Sequence, residues 1–149
     1  MTSWMKKIFI AGIAVAVLGA GMAATQPAYA DPVKDRKALM KSNSKAGKAM
    51  RKAAKAGDVM AAKTQAMIIV ANADRITGLF PKGTDRGKLG AKATRAKPDI
   101  WKDWDTFKQK AGALKAVAMK VAAGDMAAVK RIGKACGGCH KLFRGKRVK

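Results

Sequence analysis

Two cysteines and one histidine stand together as Cys136-Gly137-Gly138-Cys139-His140, and they are the whole soft-ligand inventory of a 149-residue chain. In a C-x-x-C-H run the thiols lie about one helical turn apart, so both can add to the vinyl groups of one haem while the adjacent imidazole reaches the iron. The two glycines between them keep side chains off the porphyrin edge. Other chemistries use the same residue types. Structural zinc wants four ligands, and the run offers three candidates before an Asp is recruited. A dithiol redox motif belongs near a βαβ pattern, which the sequence does not show. A disulfide would leave the placement of His140 unexplained. Covalent attachment of a single haem, giving haem c, accounts for Cys136, Cys139 and His140 together.

Haem attachment of this kind is a chemistry of exported bacterial chains, and the N-terminus reads as an export signal. Lys6 and Lys7 precede a charge-free run from Ile8 to Ala24, followed by Pro27 and the small-residue site Ala28-Tyr29-Ala30. A basic start, an apolar middle and an A-x-A site predict a secretory signal peptide over 1–30, cleaved after Ala30, and a periplasmic mature domain over 31–149. An uncleaved anchor is the competing reading, and the run is short for one.

The elements that must position the motif are helices. Ile100, Trp104, Phe107, Ala111, Leu114, Ala118 and Val121 recur at spacings of four and three, as do Val59, Ala62, Ala66, Ile69, Ala73, Ile76 and Phe80. Met126, Val129, Gly133, Cys136, His140 and Phe143 continue the rhythm, and Val33, Met40, Asn43, Gly47, Met50 and Ala54 form a less apolar stripe. Gly57-Asp58 and Gly124-Asp125 each combine a left-handed helix stop with an N-cap, which gives a tight helix-to-helix turn. Pro98 suits the first turn of a third helix. Pro81 to Lys97 lacks a periodic face and reads as a long crossover loop. The prediction is an all-α, antiparallel four-helix bundle, with helices over about 32–56, 58–79, 98–123 and 125–144 arranged as two hairpins. Gly47, Ala54, Ala62, Ala66 and Ala73 underfill the seams. Either another group occupies that space or the helices pack closely on alanine.

The chain resembles the class II cytochromes c, the cytochrome c′ group, over nearly all of residues 31–149. The resemblance is carried by the C-x-x-C-H run followed by Phe143-Arg144, by Phe80-Pro81-Lys82-Gly83-Thr84-Asp85, by Pro98-Asp99-Ile100-Trp101 with Phe107, and by Val33 to Met40. It implies an exported four-helix bundle with His140 as proximal iron ligand, Arg36 near the haem propionates and Arg144 close to the proximal imidazole. The group divides at the opposite axial position. Members with an apolar residue there are five-coordinate, high-spin and bind nitric oxide or carbon monoxide. Low-spin relatives place a Met there and carry electrons, and Met40 aligns with that position. Met40 also lies on the inward stripe, and its thioether suits an axial site, although a Met on a seam is often flexible core filler.

Charge points to the partners. Thirty-two Lys and Arg oppose nine acids, every one of them Asp, for a formal net charge of +23. Such an excess favours anionic partners. Lys34, Lys41, Lys45, Lys48, Lys52 and Lys55 trace a basic stripe beside the one that bears Met40, suited to steering an acidic redox protein. Peripheral contact with an anionic membrane surface is also compatible with the charge. A basic nucleic-acid-binding bundle is the remote alternative, disfavoured by the export signal and by aromatics that sit on seams rather than among basic residues. No nucleophile, acid–base pair or phosphate loop suggests an enzyme. The resemblance leaves a homodimer open, and the charge of the first helix opposes one.

Overall fold

A computed structural model describes residues 31–148. The predicted signal peptide over 1–30 lies outside the described residues. The helices are α1 (Pro32–Lys55), α2 (Val59–Arg75), the one-turn α3 (Arg86–Leu89) and α4 (Asp99–Lys102), α5 (Trp104–Ala123) and α6 (Val129–Phe143), with 3-10 turns at Thr77–Leu79 and Met126–Ala128. No helix among the described residues is long and apolar enough to cross a membrane. The only strand-like feature among them is an isolated antiparallel bridge between Ala96 and Arg144.

Capping sets the four long helices. Asp31 accepts hydrogen bonds from the Val33 and Lys34 amides, and Pro32 occupies the first turn of α1. Both predicted Gly-Asp turns are present. Gly57 and Gly124 have φ of 74° and 112°, while Asp58 and Asp125 accept from the amides of Ala61 and Ala128. Three boundaries differ from the sequence reading. The second helix ends at Arg75 and finishes in a 3-10 turn. The third is interrupted at Asp103, whose extended φ of −129° ends α4 and whose carboxylate caps Thr106 at the start of α5. The fourth begins as a 3-10 turn before α6.

The core follows most of the predicted seams, but on α1 Leu39 and Ala46 join Asn43, Gly47 and Met50 in the interior while Val33, Met40 and Ala54 are only half-buried. Leu79 and Ala128 are buried outside the predicted stripes. Val59 is exposed, because it is the first residue beyond its cap and lies at the mouth of the turn. On α6 the buried position is Ile132 and not Gly133, so the seam runs Val129, Ile132, Cys136, Cys139 and Phe143. Ala62 and Ala66 are fully buried where α2 packs on α1 and α5. Close packing on alanine therefore accounts for the small residues of α2. Asn72 reinforces the contact of α2 with α1 by donating to Ser42 and to the buried Asn43.

The ring of helices is unevenly closed. α1 packs on α2, α2 on α5 and α5 on α6, whereas α6 meets α1 only sparsely. An aromatic cluster seals one end: Phe107 makes edge contacts with Phe80 and Phe143 at centroid separations of 4.8 and 5.4 Å, and the Trp101 indole donates to the Phe80 carbonyl. This cluster fixes the crossover loop to the last turn of α6.

Candidate haem-attachment site

On α6, three-residue spacing and an unbroken helix bring Cys136, Cys139 and His140 to one side, all half-buried. Both cysteines pack against the core and neither is in a disulfide. Burial raises both thiols above their ordinary range, and at Cys139 the neighbouring Cys136 adds to the rise. A dithiol redox pair needs the opposite shift, a stabilised thiolate. Arg51 and Lys110 lie close enough to Cys136 and Cys139 to oppose the rise. Among the described residues no three His, Cys and Asp side chains converge as a metal cluster would require.

Burial also lowers the His140 imidazole below its ordinary range, and the positive charges of Arg144 and Arg95 lower it further. The imidazole is thus held neutral, the form that donates a lone pair to a metal. Gly137 and Gly138 between the thiols are exposed, and a Cβ built at either would meet nothing within 4 Å. Two neutral thiols, a neutral imidazole, an open glycine pair and a sparse α6/α1 seam together fit haem c.

The remaining predicted site residues come from α1 and the C-terminal end of α6. Met40 is half-buried and packs against the core. Arg36, four residues earlier, is only 4% exposed. Its guanidinium donates to the Thr84 hydroxyl at 2.9 Å, to the Thr84 carbonyl and to the Thr94 hydroxyl, and it stacks 4.9 Å from the Phe80 ring centroid. The structure thus places Arg36 as the anchor of the crossover loop. Arg144 caps α6, its amide donating to the His140 carbonyl at 3.1 Å, and its side chain is exposed. Thr84, Thr94 and Arg95 escaped the sequence reading because they lie in the aperiodic loop. Their signal is visible only once that loop is folded against α1 and α6.

An all-α bundle that carries C-x-x-C-H on its last helix, half-buried against the core, defines a bundle-type c cytochrome. A family model described as Cytochrome C' matches residues 31–144, and the chain belongs to that family. It is a haem c protein of an electron-transfer family. A cytochrome c-556 from Agrobacterium tumefaciens (strain II Chrys) is 36% identical over 106 residues, covering 66% of this chain and 82% of the relative. A solved cytochrome c' from "Rhodobacter Spheriodes" superposes with a TM-score of 0.66 at 30% identity, covering 78% of this chain and 96% of that one. A nitric oxide complex of a mutant cytochrome c prime from Alcaligenes xylosoxidans gives the same TM-score at 25% identity, covering 79% and 99%.

Proposed function

We propose that this protein is a periplasmic one-electron carrier in which Cys136 and Cys139 hold the haem by thioethers and His140 and Met40 ligate the iron from opposite sides. What supports the reading is the sparse contact between α1 and α6, together with a half-buried Met40 against the core on α1 and a half-buried His140 on α6. The bound haem supplies the redox chemistry. The chain's own residues bind it, shield it and set its surroundings. His140 contributes a neutral imidazole, kept so by burial and by Arg144 and Arg95. Arg36 keeps Thr84 and Thr94 against α1, and it is the residue that would meet a haem propionate. A Met40 thioether on the iron would exclude an exogenous gas and would raise the reduction potential relative to harder ligands.

The partner in this reading is an acidic redox protein. Lys34, Lys41, Lys45, Lys48, Lys52 and Lys55 are all exposed along α1, and their like charge accelerates encounter with an acidic surface while opposing self-association.

Absorption spectra of the oxidised and reduced holoprotein, with and without carbon monoxide, test the ligation. We expect a low-spin spectrum insensitive to carbon monoxide, converted to high-spin and gas-binding by Met40→Ala. A wild-type ferrous haem that is high-spin and takes up carbon monoxide would refute Met40 ligation and assign the protein to the five-coordinate gas-binding kind.

A further inference from the structure

Beside the end of α6 that carries His140, the structure brings the Arg86 and Arg95 side chains against the C-terminal segment that holds Arg144 and Arg147. A short backbone ladder builds the junction. The Arg86 amide donates to the Ala96 carbonyl at 2.8 Å, the Lys97 amide to the Phe143 carbonyl at 3.0 Å and the Gly145 amide to the Arg95 carbonyl at 2.8 Å. Side chains tighten it. Arg95 Nε donates to the Gly145 carbonyl at 2.8 Å, and Arg86 reaches the Lys146 carbonyl. The Arg86 guanidinium lies directly against Gly145, where a Cβ would collide with it. Arg144 and Arg147 flank the same two residues in the chain.

Among the described residues no ion pair balances this cluster. Among the described residues the ion pairs use Asp74, Asp99, Asp105 and Asp125, all with other cations. Asp85, next to Arg86, is buried and is spent on the Gly87 and Lys88 amides. Burial lowers Arg95 from its ordinary range, and Arg144, Arg147 and Arg86 lower it further, so Arg95 lies within reach of the other three charges. A backbone that fixes like charges together without a counter-charge is organised for an anion supplied from outside. Guanidinium forks suit the paired oxygens of a phosphate better than a lone carboxylate or halide.

We infer that Arg86, Arg95, Arg144 and Arg147 form a binding site for a phosphate-type oxyanion, on the flank of the helix end that carries His140. Two sources present that group, free inorganic phosphate and the headgroup of an anionic lipid.

Calorimetric titration of the holoprotein with inorganic phosphate at fixed ionic strength tests the first source. Co-sedimentation with phosphatidylglycerol vesicles tests the second. Saturable binding in either arm is expected, weakened about tenfold by loss of one charge-assisted contact. Arg95→Gln should show this loss. Arg147→Gln should show it too without loosening the loop, since Arg147 makes none of the hydrogen bonds that hold it. Lys63→Gln, on α2, removes the same charge from the molecule elsewhere and should leave binding unchanged. Saturation with phosphate identifies the free ion; binding confined to vesicles and lost in both arginine variants identifies the headgroup. Absence of binding in both arms, insensitivity to Arg95→Gln and Arg147→Gln, or an equal loss in Lys63→Gln would overturn the proposal.

Discussion

Replacing Arg36 with Met separates an anchoring role for this residue from a purely haem-directed one. The substitution keeps an unbranched stem and removes the guanidinium. It deletes three hydrogen bonds to Thr84 and Thr94 and the stacking on Phe80. Hydrogen bonds from a charged donor contribute about 1.5–3 kcal/mol each and a cation–π contact about 0.5–2 kcal/mol, before the cost of burial is counted. That cost is substantial, because burial is the main influence depressing the Arg36 pKa and desolvating a charge costs several kcal/mol. Both threonine hydroxyls keep a second partner, Thr84 donating to the Pro81 carbonyl and Thr94 accepting from the Ala96 amide. The gain and the cost therefore largely offset, leaving a net loss of about 2 kcal/mol. For a domain of this length that lowers Tm by roughly 6–10 °C. Thermal unfolding of the holoprotein, followed by far-ultraviolet circular dichroism, reads the shift. Arg36→Lys keeps the charge without the fork and should recover less than half of it. A Tm within about 1 °C of the parent for Arg36→Met would show that the loop is held without Arg36 and refute the anchoring argument.

Three further expectations follow from the same geometry. Ala66→Leu, at a fully buried position, forces α2 from its neighbours and should cost about 1–3 kcal/mol in urea unfolding; an unchanged midpoint would contradict the close packing. Gly124→Ala places a side chain at φ 112° and should cost about 1–2 kcal/mol, whereas Gly112→Ala, in the exposed interior of α5, should stabilise slightly. The depressed His140 pKa means that the unfolded chain binds a proton before the folded one does. Stability should then be full above the ordinary histidine range and fall as pH drops through it toward the folded value. Iron ligation extends the fall to lower pH. Urea midpoints measured from about pH 5 to pH 8 should rise with pH, and a flat profile would count against a neutral, buried His140.

Local chemistry made much of the molecule legible before any fold was seen. The C-x-x-C-H run, the Gly-Asp turns and the apolar spacing act over a few residues, and each constrains its own neighbourhood. They determined an all-α bundle, its two hairpins and the helix that carries haem c. The same reasoning could not choose between Ile132 and Gly133 on α6, because both lie within reach of one helical face and only packing against α5 buries the isoleucine. Nor could it find the break at Asp103, where a capping carboxylate overrides an apolar rhythm that continues without interruption. The small residues of α2 were ambiguous for a similar reason. Alanine is compatible with either a filled gap or a close contact, and the helix across from it decides.

What required the tertiary structure was everything carried by Pro81 to Lys97. That segment has no period and few apolar residues, so its sequence encodes no face. Its conformation is imposed from outside: by Arg36 on α1, by the Phe80–Phe107–Phe143 cluster and by the extended residues after α6. The anchoring of Arg36 and the gathering of Arg86, Arg95, Arg144 and Arg147 are contacts between residues tens of positions apart. Sequence by itself determined which side chains can attach a haem. Only the folded chain decided what surrounds them, since burial and neighbouring charge depend on distances that spacing along the backbone does not contain.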